Sequence, residues 1–152
     1  MNKLLAPKTI VFLTAVFTAC LTLVFISASA ASQAEDAYYW LDKAGLYAAY
    51  GNEDAAINCY QKALELDPDN ADAAFGLGLE YAEKGNYDKA LRLVNRAVSI
   101  KPENHDYLYG RGWVLMLAGK REKSLEDIAS AARLGNPDAI RYMNMIAPRS
   151  SD

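Results

Sequence analysis

The residue types that most often carry chemistry are scarce in this sequence. Its 152 residues include one histidine, His105, and two cysteines, Cys20 and Cys59. A structural zinc site takes about four such ligands, so we expect no metal centre. His105 follows Pro-Glu-Asn at a predicted helix entry, where an exposed residue beside the helix cap is favoured over a general base. The sequence therefore predicts neither a metal nor a catalytic residue.

Two further patterns also fail to indicate an enzyme. Gly76 and Gly78 stand inside a predicted helix, so they favour close helix packing over a phosphate-binding loop, which joins a strand to a helix. Glu80 and Glu83 share a helix face, but charged side chains at that spacing usually face solvent. We therefore expect a non-enzymatic protein without a cofactor.

Composition and charge set the broad class. Hydrophobic residues make up 52%, charged residues 23%, and the formal net charge is −3, which is typical of a globular protein. No run of Lys or Arg indicates a nucleic-acid surface. Residues 35–70 hold eight acids and two bases, whereas residues 105–152 hold six acids and seven bases. This asymmetry would steer a partner or favour head-to-tail self-association, although a solvated helical surface explains it as well.

The first thirty residues resemble an export signal. Two lysines precede an uncharged run over residues 9–34, and Ala28-Ser29-Ala30 is typical of a signal-peptidase site. Cleavage there is one outcome. The run is also long enough to be retained as a membrane anchor over residues 1–30, and Cys20 lies in a sequence that resembles a bacterial lipobox. We expect the rest to be exported, either periplasmic or extracellular, with a linker at 31–36 and membrane contact only through the N-terminal segment.

Residues after the linker follow a repeat of 34 positions. Pro68 and Pro102 are 34 residues apart, and the turn residues Gly51, Gly85 and Gly119 keep that spacing. Each unit is predicted to be two amphipathic helices joined by a glycine turn. The predicted segments are units at 37–70, 71–104 and 105–138, a capping helix at 139–147 and a loose tail at 148–152. Cys59 falls in the first unit, where we expect burial, with an intermolecular disulfide as the alternative.

Small residues recur at three positions of each unit. They are Ala44, Gly78 and Gly112; Ala56, Ala90 and Ser124; and Ala63, Ala97 and Ala131. Small side chains allow antiparallel helices to approach closely, so replacing Gly78 by Leu should overpack its helix pair.

These residues resemble the tetratricopeptide repeat family over about two thirds of the chain. The matching residues are Trp40, Ala44, Tyr47, Ala56, Tyr60, Ala63 and Pro68; then Leu77, Gly78, Tyr81, Ala90, Ala97 and Pro102; then Gly112, Ser124 and Ala131. Lys43 and Arg111 depart from an apolar family position. The resemblance implies an all-α fold, a right-handed α-solenoid of three helix-turn-helix units and a capping helix. Residues 131–136 also resemble Sel1-like repeats, a minor alternative for the last unit.

The resemblance also implies where a partner would bind. In this family the first helix of each unit lines a concave groove. The residues carried over to that groove are Tyr38, Leu41, Phe75, Leu79, Tyr109, Trp113 and Met116. They would accept an apolar peptide or a partner helix, with packing between neighbouring first helices as the alternative. Because Leu41, Gly45, Leu79 and Tyr109 occupy the positions of the family's basic clamp, we expect no recognition of a C-terminal carboxylate.

The function implied by the resemblance is that of a non-enzymatic adaptor or scaffold in the cell envelope. One alternative is a membrane-anchored assembly subunit or lipoprotein of an envelope complex. Another is a structural protein that self-associates into a homo-oligomer.

Overall fold

A computed structural model describes residues 36–147, and within that range the regular structure is entirely α-helical. The helices are α1 (36–49), α2 (Glu53–Leu66), α3 (Ala71–Glu83), α4 (Tyr87–Ile100), α5 (His105–Leu117), α6 (Arg121–Arg133) and α7 (Pro137–Ile146). The predicted signal or anchor at 1–30, Cys20, linker residues 31–35 and the tail at 148–152 lie outside the described residues. Within 36–147, none of the helices combines the length and apolar character needed to cross a membrane.

Glycine turns join the two helices of each pair. Gly51, Gly85 and Gly119 adopt φ values of 71°, 74° and 74°, in the left-handed region that glycine enters without a β-carbon clash. Asn52 and Asn86 follow two of these turns and cap α2 and α4 through their side-chain oxygens. The tight turn and the cap together start each second helix antiparallel to the first.

Asparagine also opens the first helix of each later unit. Asn70, Asn104 and Asn136 accept backbone hydrogen bonds at the starts of α3, α5 and α7. Asn136 is buried, and its amide also donates to Asp106 Oδ1 at 2.8 Å, which ties α7 to α5. Asn136 caps α7 and Pro137 opens it, as the sequence Asn-Pro-Asp predicts. The helix therefore starts two residues before the segment bounded at 139–147 and ends at Ile146.

The small residues lie where the two helices of a pair meet. Ala44, Ala56, Ala63, Ala90, Ala97, Ser124 and Ala131 have no exposed surface. A β carbon on Gly78 would lie 2.7 Å from Val94 Cγ1, and one on Gly112 would lie 2.7 Å from Ile128 Cγ1. These glycines therefore allow the close approach that the sequence pattern predicts.

Two aromatic rings join consecutive units. The Tyr60 ring from α2 fills the space beside Gly76 of α3, and the Phe75 ring from α3 fills the space beside Gly110 of α5. Equivalent glycines are thus covered by a ring of the preceding unit, from its second helix at Tyr60 and from its first helix at Phe75. Each helix pair therefore stacks on the previous one as in an α-solenoid. Cys59 packs inside the first pair with 5% of its surface exposed, so the expected burial is confirmed.

Candidate functional site

The seven predicted groove residues lie on α1, α3 and α5, the first helices of the three pairs; we call them the first-helix row. Tyr38 and Trp113 are 62% and 45% exposed. Leu41, Leu79, Tyr109 and Met116 are half-buried. The row therefore presents an accessible aromatic ring on α1 and another on α5, with partly covered apolar side chains on the three helices.

Phe75 has a packing role within this row. Its ring stacks on Tyr107, with centroids 4.7 Å apart and planes 27° apart, and it also covers Gly110. Both contacts join α3 to α5. Sequence reasoning left partner binding and helix packing open for this side chain, and the geometry places it between neighbouring first helices. Tyr38 and Trp113 offer more surface to a partner.

Three exposed carboxylates accompany the row at neighbouring positions of the first helices: Asp72, Glu83 and Asp106. Asp72 accepts a hydrogen bond from Tyr107 Oη and another from Lys101 Nζ at 3.1 Å. Burial opposes the charged form of Asp72, but these two donors outweigh it and lower the pKa of its carboxyl group. Burial and the same hydrogen bond raise the pKa of Tyr107. Asp72 therefore stays ionised and holds the start of α3 to α5.

Lys43 is accommodated by aromatic rings. Its Nζ lies 5.1 Å from the Trp40 ring centroid and 5.6 Å from that of Tyr39. The Nζ of Lys62 from α2 lies 4.0 Å from the centroid of the Trp40 ring. Cation–π contacts thus replace the apolar contact that the family pattern places at Lys43. They also occupy Trp40, which is only partly exposed.

Arg111 is accommodated by an ion pair. Its Nε donates to Asp127 Oδ2 at 2.6 Å and its Nη2 to Asp127 Oδ1 at 2.7 Å, while Nη1 reaches Asn95 Oδ1 at 3.3 Å. The side chains of Arg111 and Asp127 are 24% and 13% exposed. The carboxylate of Asp127 raises the pKa of the guanidinium. This bidentate pair links α5 to α6.

Sequence reasoning missed this pair, although the repeat contained a signal for it. Thirty-four positions before Arg111 and Asp127 stand Leu77 and Leu93. One apolar pair has therefore been replaced by one ion pair at equivalent positions of consecutive units. Comparing both positions together predicts the contact, whereas Arg111 alone only indicates a departure from the pattern.

His105 has one acidic neighbour at the start of its helix. His105 Nδ1 lies 3.0 Å from Asp106 Oδ1 at the exposed start of α5. In the part of the chain that the structure describes, no group of three or more His, Cys, Asp or Glu side chains is placed to hold a metal ion.

A family model described as tetratricopeptide repeat matches residues 41–105 and 78–139. The two matches span most of the described helices, and the chain belongs to this family. It is thus a helical repeat of the class that serves as a protein-interaction module. A comparison with curated proteins finds no match.

Solved structures share the fold. The first TPR of Spaghetti (RPAP3), bound to the HSP90 peptide SRMEEVD, is 23% identical with a TM-score of 0.68, over 74% of this chain and 90% of that chain. The Arabidopsis OM64 TPR domain is 18% identical with a TM-score of 0.69, over 74% and 95%. A Thermobaculum terrenum O-GlcNAc transferase mutant is 31% identical with a TM-score of 0.66, over 68% of this chain but only 20% of that chain. These similarities confirm the all-α repeat fold.

Proposed function

We propose that this protein is a non-enzymatic adaptor that binds a peptide or helical segment of a partner protein along the first-helix row. The observation that carries the proposal is the exposure of Tyr38 and Trp113 beside the half-buried apolar side chains of the same three helices. Large aromatic side chains are frequent anchors in protein interfaces, because they bury much apolar area with few rotatable bonds. Helical solenoids present such rows on a concave surface.

The chemistry of the row favours an apolar segment over a C-terminal carboxylate. The similarly folded first TPR of Spaghetti is described with an acidic HSP90 peptide. In this chain Leu41, Leu79 and Tyr109 stand where the family's basic clamp would need Lys, Asn or Arg. Asp72 and Asp106 add negative charge nearby. A carboxylate-terminated peptide would meet repulsion here rather than a cationic clamp.

A phage-displayed library of random peptides, selected on the full-length protein, tests this proposal. We expect selected peptides to be rich in apolar residues and to lose about 30-fold in affinity to Trp113→Ala, the size of a central hot spot. Tyr50→Ala is the matched control, since Tyr50 is an 81% exposed aromatic residue outside the row. Equal affinity for the wild type, Trp113→Ala and Tyr38→Ala, with unchanged circular dichroism, would remove the row from the binding site.

We further propose that the protein acts in the cell envelope after export. The support is the lysine-flanked apolar run before residue 35 and its Ala28-Ser29-Ala30 pattern. Mass spectrometry of the mature N-terminus separates the three outcomes. A chain starting at Ala31 indicates secretion, an intact Met1 indicates a membrane anchor, and a diacylated Cys20 indicates a lipoprotein. A full-length chain in the cytoplasmic fraction would contradict export.

Self-association is the second candidate, favoured by exposed apolar residues on the two terminal helices. Leu46 of α1 is 56% exposed, and Met145 of α7 is 73% exposed. Neither helix has a neighbouring unit on its outer side within residues 36–147. Light scattering over a range of concentrations tests this candidate. A mass that rises with concentration supports stacking, and a constant monomer mass excludes it.

A further inference from the structure

A cavity lies between α3 and α4, and both helices contribute to its lining. It has a volume of about 360 Å³ and is lined by Leu77, Tyr81, Lys89, Arg92, Leu93 and Arg96. We call it the α4 cleft. Leu77 and Leu93 supply apolar lining, Tyr81 supplies an aromatic wall, and the other three side chains are cationic. None of the lining residues is acidic, although the chain as a whole carries a net charge of −3.

The three cations differ in how far they are already neutralised. Arg96 donates to the Pro68 carbonyl and lies 3.5 Å from Asp69 Oδ1. Lys89 Nζ lies 5.1 Å from the centroid of the Tyr81 ring. Arg92 forms no ion pair or hydrogen bond with another side chain in the described part of the chain. Arg96 is therefore partly neutralised and Lys89 is held over an aromatic ring, whereas the charge of Arg92 is not compensated by a side-chain partner.

The equivalent cavity of the third unit shows that this charge arrangement is not a requirement of the fold. That cavity has a volume of about 380 Å³ and includes Arg111, Leu115, Lys123, Glu126 and Asp127. Its Arg111 is neutralised by Asp127, and Glu126 replaces the equivalent Arg92. The third-unit cavity, which Lys120 also lines, therefore sets three cations against two carboxylates. The α4 cleft has three cations around an apolar floor and no carboxylate in its lining.

We propose that the α4 cleft is a second binding site, specific for an acidic peptide segment that carries an apolar side chain. The cations at positions 89, 92 and 96 spread over about 10 Å along α4, at a rise of about 1.5 Å per residue. An extended peptide places alternate side chains about 7 Å apart on one side, so two of its carboxylates fall within the length of that row. Its apolar side chain would lie on Leu77 and Leu93 and against Tyr81.

Other anionic partners fit the cleft less well. A bilayer surface cannot enter a cavity of this size, and its charge would meet the acidic first unit beside it. Three cations are also few for a nucleic acid, whose affinity depends on many phosphate contacts. A peptide is the partner that satisfies both the apolar floor and the charged rim. The α4 cleft contains none of the first-helix-row residues, so this proposal does not depend on the proposed function.

Fluorescence anisotropy with synthetic heptapeptides tests the proposal on the full-length protein. One pool carries Leu, Ile or Phe at its centre and Glu or Asp on both sides, and a matched pool carries Gln and Asn instead. We expect only the acidic pool to bind, with an affinity that weakens as salt is raised. The double variant Lys89→Gln and Arg92→Gln should lose about 10-fold or more in affinity.

Two controls locate the site. Lys123→Gln removes the cation equivalent to Lys89 from the third unit, and Trp113→Ala alters the first-helix row; neither should change binding of the acidic pool. Equal binding of both pools, or unchanged binding by the double variant, would overturn the proposal. So would binding of phosphatidylglycerol vesicles that is lost in the double variant while no peptide binds. Loss of acidic-peptide binding in Trp113→Ala would assign the peptide to the first-helix row.

Discussion

The second and third units solve the same packing problem with different chemistry. In the second unit, Leu77 and Leu93 meet beside an open cationic cleft. In the third unit the equivalent residues, Arg111 and Asp127, form a bidentate ion pair. The helices pair in the same way in both units, but the contact is apolar in the second unit and ionic in the third. Between these two units, the pairing of the two positions is kept although the character of both residues changes.

The third unit departs from the second at two further positions. Ser124 replaces Ala90 in the interior of the helix pair, and Lys120 replaces Asn86 before the second helix. The Ser124 hydroxyl is buried and has no hydrogen-bond partner within the described structure. Lys120 makes no side-chain cap for α6. The third unit therefore contains an unpaired hydroxyl that the second unit lacks, and an uncapped helix start that the second unit caps with Asn86.

Breaking the ion pair should have the largest effect on stability. Asp127→Leu leaves the guanidinium of Arg111 mostly covered and without its counter-ion, so we expect the free energy of unfolding to fall by about 3 kcal/mol. Adding Arg111→Leu recreates the apolar pair of the second unit and should recover most of the loss. Urea unfolding of the two single variants and the double variant measures this coupling. Additive losses would show that the two residues act independently.

Enlarging the conserved small position should affect both units alike. A β carbon on Gly78 would lie 2.7 Å from Val94 Cγ1, and one on Gly112 would lie 2.7 Å from Ile128 Cγ1. We expect Gly78→Ala and Gly112→Ala each to cost about 2 kcal/mol in urea unfolding.

Gly45→Ala is the control for these substitutions, because a β carbon there meets nothing within 4 Å. This substitution should stabilise α1 by about 0.5–1 kcal/mol through helix propensity. Destabilisation by all three substitutions would show that close packing is not the cause.

Removing the buried hydroxyl should make the third unit more like the second. Ser124→Ala deletes a polar group that is out of contact with water, and Ala90 shows that a methyl group fits the equivalent site. We expect the free energy of unfolding to rise by about 1 kcal/mol. Ser130→Ala is the control, because the Ser130 hydroxyl already donates to the Glu126 carbonyl. A destabilised Ser124→Ala would mean that the hydroxyl is satisfied in solution.

Supplying the missing cap should have the smallest effect. Lys120→Asn places at the start of α6 the residue that caps α4 through a bond from Lys89 N to Asn86 Oδ1 of 3.3 Å. The expected gain is about 0.5–1 kcal/mol, measured as an increase in the urea midpoint. Lys120→Ala removes the same charge without adding a cap. Equal gains in the two variants would assign the effect to charge rather than to capping.

The sequence predicts the scaffold well because its determinants are local and repeated. The glycine turns, the asparagine caps and the small positions each act within a few residues or within one helix pair. The role of Phe75 and the partner of Arg111 depend on contacts between different helices, which periodicity alone does not reveal. For the first-helix row, spacing predicts a shared face, but only packing separates the exposed Trp113 from the half-buried Phe75.

Hydrogen–deuterium exchange of the full-length protein, with and without a peptide selected for binding, tests the adaptor proposal most directly. We predict slower exchange in α1, α3 and α5, centred on segments that contain Tyr38 and Trp113, and little change in α2 and α6. Protection confined to the second helices, or spread equally over all helices, would contradict binding along the first-helix row.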